Sequence, residues 1–199
     1  MVGAGDQKRV LGKMKPVWRP ASLSDLEDIH KMACHIHPDL PESREVIVDK
    51  IKFFPEGCWL LSLEDISFGY ALSHPWRLFN IPQLNKALPT PKARADCLYL
   101  HDVALLEIAR GKNATKQLVE RLTGIAYSHD LSFLALTSVY DTQPIWQRLG
   151  FKPMNQEISS MELESYGHSA NYMIKSRSEE HTSELQSLRH LVCRLLLEK

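Results

Sequence analysis

Apolar residues recur every three or four positions in several stretches of the chain, which predicts amphipathic helices. Before the first stretch, Ser22 or Ser24 can accept hydrogen bonds from the free N–H groups of a first helical turn. The helices are predicted at 26–33, from about residue 41 to 54, at 113–128 and at 142–148.

Short runs of β-branched and large apolar residues lie between these helices and predict strands. The predicted strands cover 17–19, 58–63, 67–73, 97–106, 131–139, 151–154 and 172–175. Strands and helices alternate in places and hairpins also occur. The pattern therefore predicts an α/β or α+β fold with a mixed central sheet.

The stretch from 74 to 96 contains four prolines and reads as a long loop. A long loop within a compact domain is usually a functional lid or disordered. Its apolar residues favour a packed lid: Trp76, Phe79, Ile81 and Leu84.

Composition limits the classes of function. The 199 residues suit one domain, and 24 basic residues balance 24 acidic ones, which argues against a nucleic-acid or anionic-membrane binder. Residues 1–15 have no apolar core of a secretory signal, and no apolar run reaches the roughly 20 residues of a membrane span. We therefore expect a flexible leader at 1–15 and a soluble, cytoplasmic protein.

The four cysteines are scattered, without the spacing of a metal site or a disulfide framework. They are Cys34, Cys58, Cys97 and Cys193. Apolar neighbours favour free, buried thiols in a reducing compartment over disulfides.

Residues 177–199 differ in composition from the rest of the chain. Read back through the genetic code, 177–187 and 191–199 are compatible with two parts of a common sequencing-library adapter. The alternative is a natural amphipathic helix, because leucines recur there at helical spacing. Two adapter-like segments in one frame favour a non-native tail, which leaves 16–176 as the functional domain.

Residues 98–118 form a predicted strand, turn and helix with Arg110-Gly111-Lys112 at the turn. Unpaired N–H groups and the helix dipole make such a helix start a good phosphate site, and the basic residues strengthen its field. An ordinary turn can carry the same residues, so the spacing alone leaves both interpretations open.

The turn resembles the coenzyme A motif of GNAT acetyltransferases, Arg/Gln-x-x-Gly-x-Gly/Ala, with Arg110 in first position. Asn113 and Thr115 depart from it, although asparagine tolerates the left-handed backbone that glycine provides. Residues 138–151 resemble the second GNAT motif, a helix ending in Leu-Gly-Phe. The resemblance covers about 16–176 and implies a mostly antiparallel sheet flanked by helices.

The resemblance implies acetyl-CoA as co-substrate and assigns a set of binding residues. They are Val103, Leu105, Arg110, Gly111, Lys112, Asn113, Ala114, Thr115 and Trp146. The backbone of Val103 and Leu105 is expected to bind the pantetheine arm and polarise the thioester carbonyl.

Within the superfamily, the fourth strand is similar to that of arylalkylamine N-acetyltransferases, which carry two histidines there. Tyr99 and His101 occupy the matching positions. A primary amine must lose a proton before it attacks, and His101 can accept it directly or through water. A core histidine is the alternative. Strand alternation predicts Tyr99, His101 and Val103 on one face and Asp102 on the other.

Trp146 stands where these enzymes place a tyrosine general acid, and an indole N–H is not acidic. Tyr140 is the candidate replacement, although a core aromatic residue fits its position equally well. Tyr99 is expected to extend a water relay from His101.

Four further residues are candidates for the acceptor site. Asp102 can bind the ammonium group, and His74, Trp76 and Phe79 can form an aromatic wall around it or pack the lid. His35 and His37 lack the acid or cysteine partners of a metal site, so surface histidines are favoured and no metal is expected.

The sequence therefore predicts an N-acetyltransferase that moves the acetyl group of acetyl-CoA to a small amine such as an (aryl)alkylamine. The alternatives are an enzyme acting on protein N-termini or lysines, and a non-catalytic CoA-binding protein. No nucleic acid or membrane partner is expected, and the protein is expected to be a monomer or homodimer.

Overall fold

The computed structural model describes residues 15–40, 42–89 and 95–177, and within them seven strands form one sheet of order β1-β2-β3-β4-β5-β7-β6. The strands are β1 (Val17–Pro20), β2 (Cys58–Leu63), β3 (Ile66–Trp76), β4 (Cys97–Leu105), β5 (Phe133–Ser138), β6 (Lys152–Pro153) and β7 (Asn171–Ser176). The helices are α1 (Leu26–Ile36), α2 (Arg44–Phe53), α3 (Ala114–Ser128), α4 (Gln143–Arg148) and α5 (Ser160–Glu164). Residues 1–14 of the predicted leader, Pro41, Cys193 and the tail from 178 lie outside the described residues.

The strand pairing confirms the predicted mixed, mostly antiparallel sheet. Only β4 and β5 are parallel, whereas each of the other neighbouring pairs of described strands is antiparallel. The predicted helices and strands are found with small changes in their ends. Helix α5 was not predicted, since its five residues are too few to show a helical period.

Strand β3 runs three residues beyond its predicted end, through Pro75. Strand β2 stops pairing with it at Leu72, while β4 continues alongside it to Trp76. On the β2 side this end of β3 is therefore an edge, where a proline costs no ladder hydrogen bond. In the described part of the following loop, 77–89, Ile81 is buried as predicted and Leu88 is buried as well, whereas Phe79, also predicted to pack, is exposed.

Helices cover both faces of the sheet. Helix α3 buries Leu118, Val119 and Leu122 against one face, where they share a core with apolar residues of β2, β3, β4 and β5. Helices α1 and α2 bury Ile29 and Ile47 against the other face. Each helix thus places the apolar stripe seen in the sequence against the sheet.

Strand β4 contains a β-bulge at His101. On β3, Leu72 pairs with Asp102 and the next residue, Ser73, pairs with Leu100, so His101 is an extra residue without an opposite partner. A bulge of this kind re-aims the side chains that follow it.

The bulge corrects the predicted alternation along β4. Leu100 before the bulge and Val103 after it both pack on the α3 side, whereas an unbroken strand would place them on opposite faces. Asp102 instead faces the α1 and α2 side, where Tyr70 contacts it. Tyr99 and Val103 are therefore on opposite faces, and the prediction that they share one is wrong.

The described cysteines are free, but only two of them are buried. Cys58 and Cys97 lie in the core, whereas Cys34 is exposed on α1, which corrects the prediction of burial there. Among the described residues, no helix is both long enough and apolar enough to cross a membrane.

Replacing Gly57 or Gly124 with alanine adds one methyl group in each case. The two substitutions are expected to shift the free energy of unfolding in opposite directions. A Cβ at Gly57 would lie 2.2 Å from the backbone oxygen of Ser73, so Gly57→Ala should lower the free energy of unfolding by about 1–3 kcal/mol through overpacking. A Cβ at Gly124 meets nothing within 4 Å on α3, so Gly124→Ala should raise it by roughly 0.5–1 kcal/mol. Urea unfolding of both variants measures the difference, and equal shifts would contradict the close approach of β3 to Gly57.

Candidate functional site

A cavity lies where β4 and β5 separate. The two strands pair only from Cys97 with Phe133 to Leu100 with Leu136, and both continue beyond that point. A cavity of about 590 Å³ lies at this divergence, lined by 100–105 of β4 and 136–140 of β5 and the turn after it. The sheet therefore provides a slot with strand backbone on its sides.

The backbone of β4 is directed into this slot at Val103 and Leu105. The N–H of Leu106 donates to Phe68 O on β3 at 2.9 Å. Successive residues of a strand direct their backbone groups to opposite sides, so those of Leu105 and Val103 point away from β3. The Leu105 carbonyl accepts a hydrogen bond from Arg110 Nε at 3.1 Å, in agreement with this direction.

The other end of the cavity is the start of α3. Gly111 and Asn113 both have left-handed backbone, with φ of 72° and 61°, a conformation that asparagine tolerates better than most residues. The first N–H of α3 bonded to the turn is that of Gln117, which donates to Asn113 O at 3.0 Å. The N–H groups of the first turn, Ala114 to Lys116, have no partner within the helix and lie at the cavity wall.

Most of the residues predicted to bind coenzyme line this cavity. They are Val103, Leu105, Arg110, Gly111, Asn113, Ala114, Thr115 and Trp146. Lys112 is not on the wall formed by the described residues, but Lys116 and Arg148 are. The positive charge of the site therefore comes from Arg110 and from residues further along the helices.

A buried cluster of four ionisable groups lies beside the cavity, with Glu42 and His101 on the cavity wall. Glu42 accepts hydrogen bonds from Lys50 Nζ at 2.7 and 2.8 Å, and its Oε1 is 3.0 Å from His101 Nε2. The side chains of Lys50 and His101 are each 1% exposed. The other ring nitrogen of His101, Nδ1, is 3.4 Å from His74 Nε2.

The charges in this cluster determine the state of His101. Burial alone would raise the pKa of Glu42, but the hydrogen bond from His101 and the charge of Lys50 lower it to about 2, so the carboxylate is ionised. An ionised carboxylate only accepts, hence His101 carries a proton on Nε2. Burial and then the Lys50 charge lower the pKa of His101, which is therefore neutral at neutral pH.

His74 completes the cluster without reaching the cavity. It is fully buried, and burial together with the nearby His101 holds its pKa well below the usual value. As a neutral ring it can donate to His101 Nδ1 or, after a tautomer change, accept from it. Both protonation states of His101 can thus be satisfied by hydrogen bonds.

A second acid–base group lies on the cavity wall at His37. Its Nε2 is 3.1 Å from Asp102 Oδ1, and its ring stacks on Tyr140 with centroids 5.6 Å apart and an angle of 11°. Asp102 also accepts a hydrogen bond of 2.5 Å from Tyr70. This placement corrects the interpretation of His37 as a surface histidine.

Tyr99 does not line the cavity, whereas His101 does. Its side chain is 1% exposed and its hydroxyl bonds to Thr137 Oγ1 at 2.8 Å. The ring lies 6.2 Å from that of His101, so Tyr99 packs beside the histidine. Tyr140, by contrast, is 42% exposed and lines the cavity.

The structure does not bring the predicted aromatic wall together. His74 lies on the side of His101 away from the cavity. The Trp76 ring packs against His74 with centroids 5.1 Å apart, and the Phe79 ring packs against Tyr172 with centroids 6.1 Å apart. None of the three is on the cavity wall formed by the described residues, whereas Asp102 is. No group of described His, Cys, Asp or Glu residues is arranged to hold a metal ion.

Sequence reasoning missed three residues of the site: His37, Glu42 and Lys50. Glu42 and Lys50 are eight positions apart and resemble ordinary helix charges, so only their burial reveals the pair. A weak signal existed, because Lys50 lies between Ile47 and Ile51 on the apolar face of α2.

Comparison with known proteins identifies the fold. No protein-family model matches this chain, and no curated protein sequence does. Similar solved structures include Ard1 from Thermoplasma volcanium, with 14% identity, 82% of this chain and 98% of that chain covered, and a TM-score of 0.61. Naa50 from Arabidopsis thaliana, in complex with the bisubstrate analogue CoA-Ac-MVNAL, is 11% identical, with 81% of this chain and 97% of that chain covered and a TM-score of 0.61. The GphF GNAT-like decarboxylase in complex with isobutyryl-CoA is 15% identical, with 81% of this chain and 99% of that chain covered and a TM-score of 0.61. The chain accordingly has the GNAT fold.

Removal of the buried cation should destabilise the protein strongly. Lys50→Met leaves the Glu42 carboxylate buried with one partner fewer, which should cost about 3–5 kcal/mol in the free energy of unfolding. Lys52→Met, the same change at an exposed position of α2, is the control and should change it by less than about 0.5 kcal/mol. Denaturant unfolding compares them, and similar values for both variants would contradict the role of the buried pair.

Proposed function

We propose that the protein transfers the acetyl group of acetyl-CoA to the nitrogen of a primary amine. The observation that carries the proposal is that the outward backbone of Val103, the open first turn of α3 and the neutral His101 all border one cavity. Thioester, phosphate and proton-accepting sites are then within one continuous space.

The phosphate end of the cavity supports coenzyme A as the acyl carrier. The free N–H groups at the start of α3 and the positive end of its dipole favour an anion. Arg110, Lys116 and Arg148 line the same end and supply three positive charges. A diphosphate held there leaves the pantetheine arm to follow the slot between β4 and β5.

The Val103 N–H is suited to polarise the thioester. It points into the slot on the β5 side, where strand pairing has ended. A backbone donor aimed at the oxygen that becomes negative lowers the barrier to attack by the amine. His101, neutral and bonded to Glu42, then takes the proton that the attacking amine must lose, directly or through water.

The acceptor end of the cavity favours a small amine. Its wall includes Ile36, Leu40, Leu84 and Tyr166, and the described loop 77–89 is fixed over it by several hydrogen bonds. The Leu88 N–H donates to Asp49 at 2.8 Å, and Tyr166 donates to Pro82 O at 2.6 Å. A fixed loop over an apolar pocket suits a compact acceptor better than an extended peptide.

The test is acetyl-CoA binding followed by thiol release over a panel of amines. Stabilisation by acetyl-CoA in a thermal-shift titration, and thiol release with small alkyl- or arylalkylamines, is the expected result. Thiol release only with N-terminal peptides or lysine peptides would show that the acceptor is a protein and not a small amine. Binding without turnover on any amine would leave a CoA-binding protein, and absence of binding would remove the proposal.

Arg110→Ala is expected to weaken acetyl-CoA binding. The loss of one charge-assisted contact, about 1.5–3 kcal/mol, corresponds to a roughly 10- to 100-fold rise in Kd. Arg121→Ala on the outer side of α3, where the guanidinium lies 5.3 Å from the Trp59 ring, removes the same charge away from the cavity and is the control. Equal affinities of the two variants by calorimetry would contradict a phosphate contact of Arg110.

His101→Gln keeps a donor for Glu42 but removes the base. Turnover at pH 7 should fall by about 10²- to 10⁴-fold, the usual contribution of general acid–base catalysis. The deficit should narrow as pH rises, since more of an amine with a pKa near ~10.4 is then already neutral. A pH–rate profile parallel to that of the wild type would exclude His101 as the base.

A further inference from the structure

The departing sulfur of coenzyme A needs a proton, and most groups on the cavity wall are unsuited to give it. The indole N–H of Trp146 is not acidic, Glu42 is ionised, and His101 is neutral with its Nε2 proton held by the Glu42 carboxylate. The Tyr166 hydroxyl donates to a backbone oxygen, and burial raises its pKa far above neutrality. Burial also raises the pKa of Tyr140.

His37 lies at the place where the two central strands separate. Its ring contacts Asp102 on β4 and stacks on Tyr140, which follows the end of β5, so it bridges the two sides of the slot. Its backbone is held at the end of α1, where its N–H donates to Ala33 O at 2.8 Å. A thioester lying in the slot would thus pass beside this ring.

One nitrogen of His37 is available for chemistry. The Nε2 atom lies within ion-pair distance of Asp102 but outside hydrogen-bond geometry, and Nδ1 has no hydrogen-bond partner among the described residues. A buried ring nitrogen without a partner is costly unless a ligand or water completes it.

The turn after β5 supports a functional role for the stacked pair. Tyr140 and Asp141 both have left-handed backbone, with φ of 51° and 55°. Such a conformation is rare for a bulky residue, and strain of this kind is often retained at functional sites. This turn carries the Tyr140 ring that stacks on His37.

The charges around His37 favour its protonated form. Burial lowers the pKa of His37, but the adjacent Asp102 carboxylate, helped by the charge of Glu42, outweighs burial and the opposing Arg110, so the pKa is raised above its ordinary value. His101, in the same cavity, has a lowered pKa. A pair of neighbouring groups whose pKa values are shifted in opposite directions is the usual arrangement of a catalytic acid and base.

We infer that His37, oriented by Asp102 and Tyr140, donates the proton that the coenzyme A sulfur takes up as it leaves. This inference rests on the proposed acetyl transfer. The amine lone pair forms the C–N bond while the C–S bond breaks and its electron pair goes to sulfur. The ammonium proton goes to His101 and the His37 imidazolium gives its Nδ1 proton to sulfur, so the products are amide and free thiol. Proton return from His101 to His37 through water restores the site.

The test is the pH dependence of kcat/KM for the wild type, His37→Gln and Asp102→Asn, measured by thiol release. Because only the imidazolium donates, wild-type kcat/KM should fall as pH rises through the raised pKa of His37. His37→Gln should abolish this alkaline decline and lower kcat at pH 7 by roughly 10- to 100-fold. The expected fall in kcat is small for the loss of a general acid, because a thiol with pKa near ~8.5 can leave as the thiolate without full protonation. Asp102→Asn should move the decline to lower pH.

The control is His35→Gln, the same change at an exposed residue two positions away, which should leave the profile unchanged. NMR titration of the His37 ring, in the wild type and in Asp102→Asn, checks the shift without turnover. The inference is overturned if kcat/KM of His37→Gln still falls at alkaline pH, or if the substitution removes the fall at acid pH instead. Either result leaves the proposed acetyl transfer in place. A wild type that binds acetyl-CoA and releases no thiol with any amine removes the proposed function itself.

Discussion

The site depends on one constraint in the sheet, namely that β4 loses its β5 partner immediately before the bulge at His101. Up to Leu100 the strand is part of a continuous ladder, and beyond it the β5 side has no neighbouring strand among the described residues. Backbone donors that would otherwise be paired within the sheet then face a cavity. The bulge also changes the phase of the strand, so that Asp102 faces α1 and α2 while Val103 stays on the α3 side.

The groups around this constraint are coupled through Glu42. Its carboxylate accepts from Lys50 and His101 and from the Asn85 N–H at 3.3 Å, so it joins α2, β4 and the loop 77–89. A buried carboxylate is stable only with such partners, and its partners are fixed in return. The orientation of His101 and the position of the loop therefore both depend on the Glu42 carboxylate.

Much of the fold was predictable because it depends on local patterns. The helical spacing across 26–33 and 113–128 and the apolar runs at 58–63 and 131–139 each predict an element that the structure contains. The left-handed Asn113 was also predictable, since side-chain chemistry limits which residues take that conformation. The extension of β3 through Pro75 was not, because it requires knowing that β2 has already ended.

By itself, the sequence determined the mixed sheet, the strand–turn–helix at 98–118 and the resemblance that led to His101. Only the tertiary structure decided which ionisable groups meet: Glu42 with Lys50 and His101, and His37 with Asp102. The physical reason is that hydrophobic periodicity is a property of neighbouring residues. A bulge, a buried ion pair and a shifted pKa depend instead on contacts between distant segments, such as the 59 positions between Glu42 and His101.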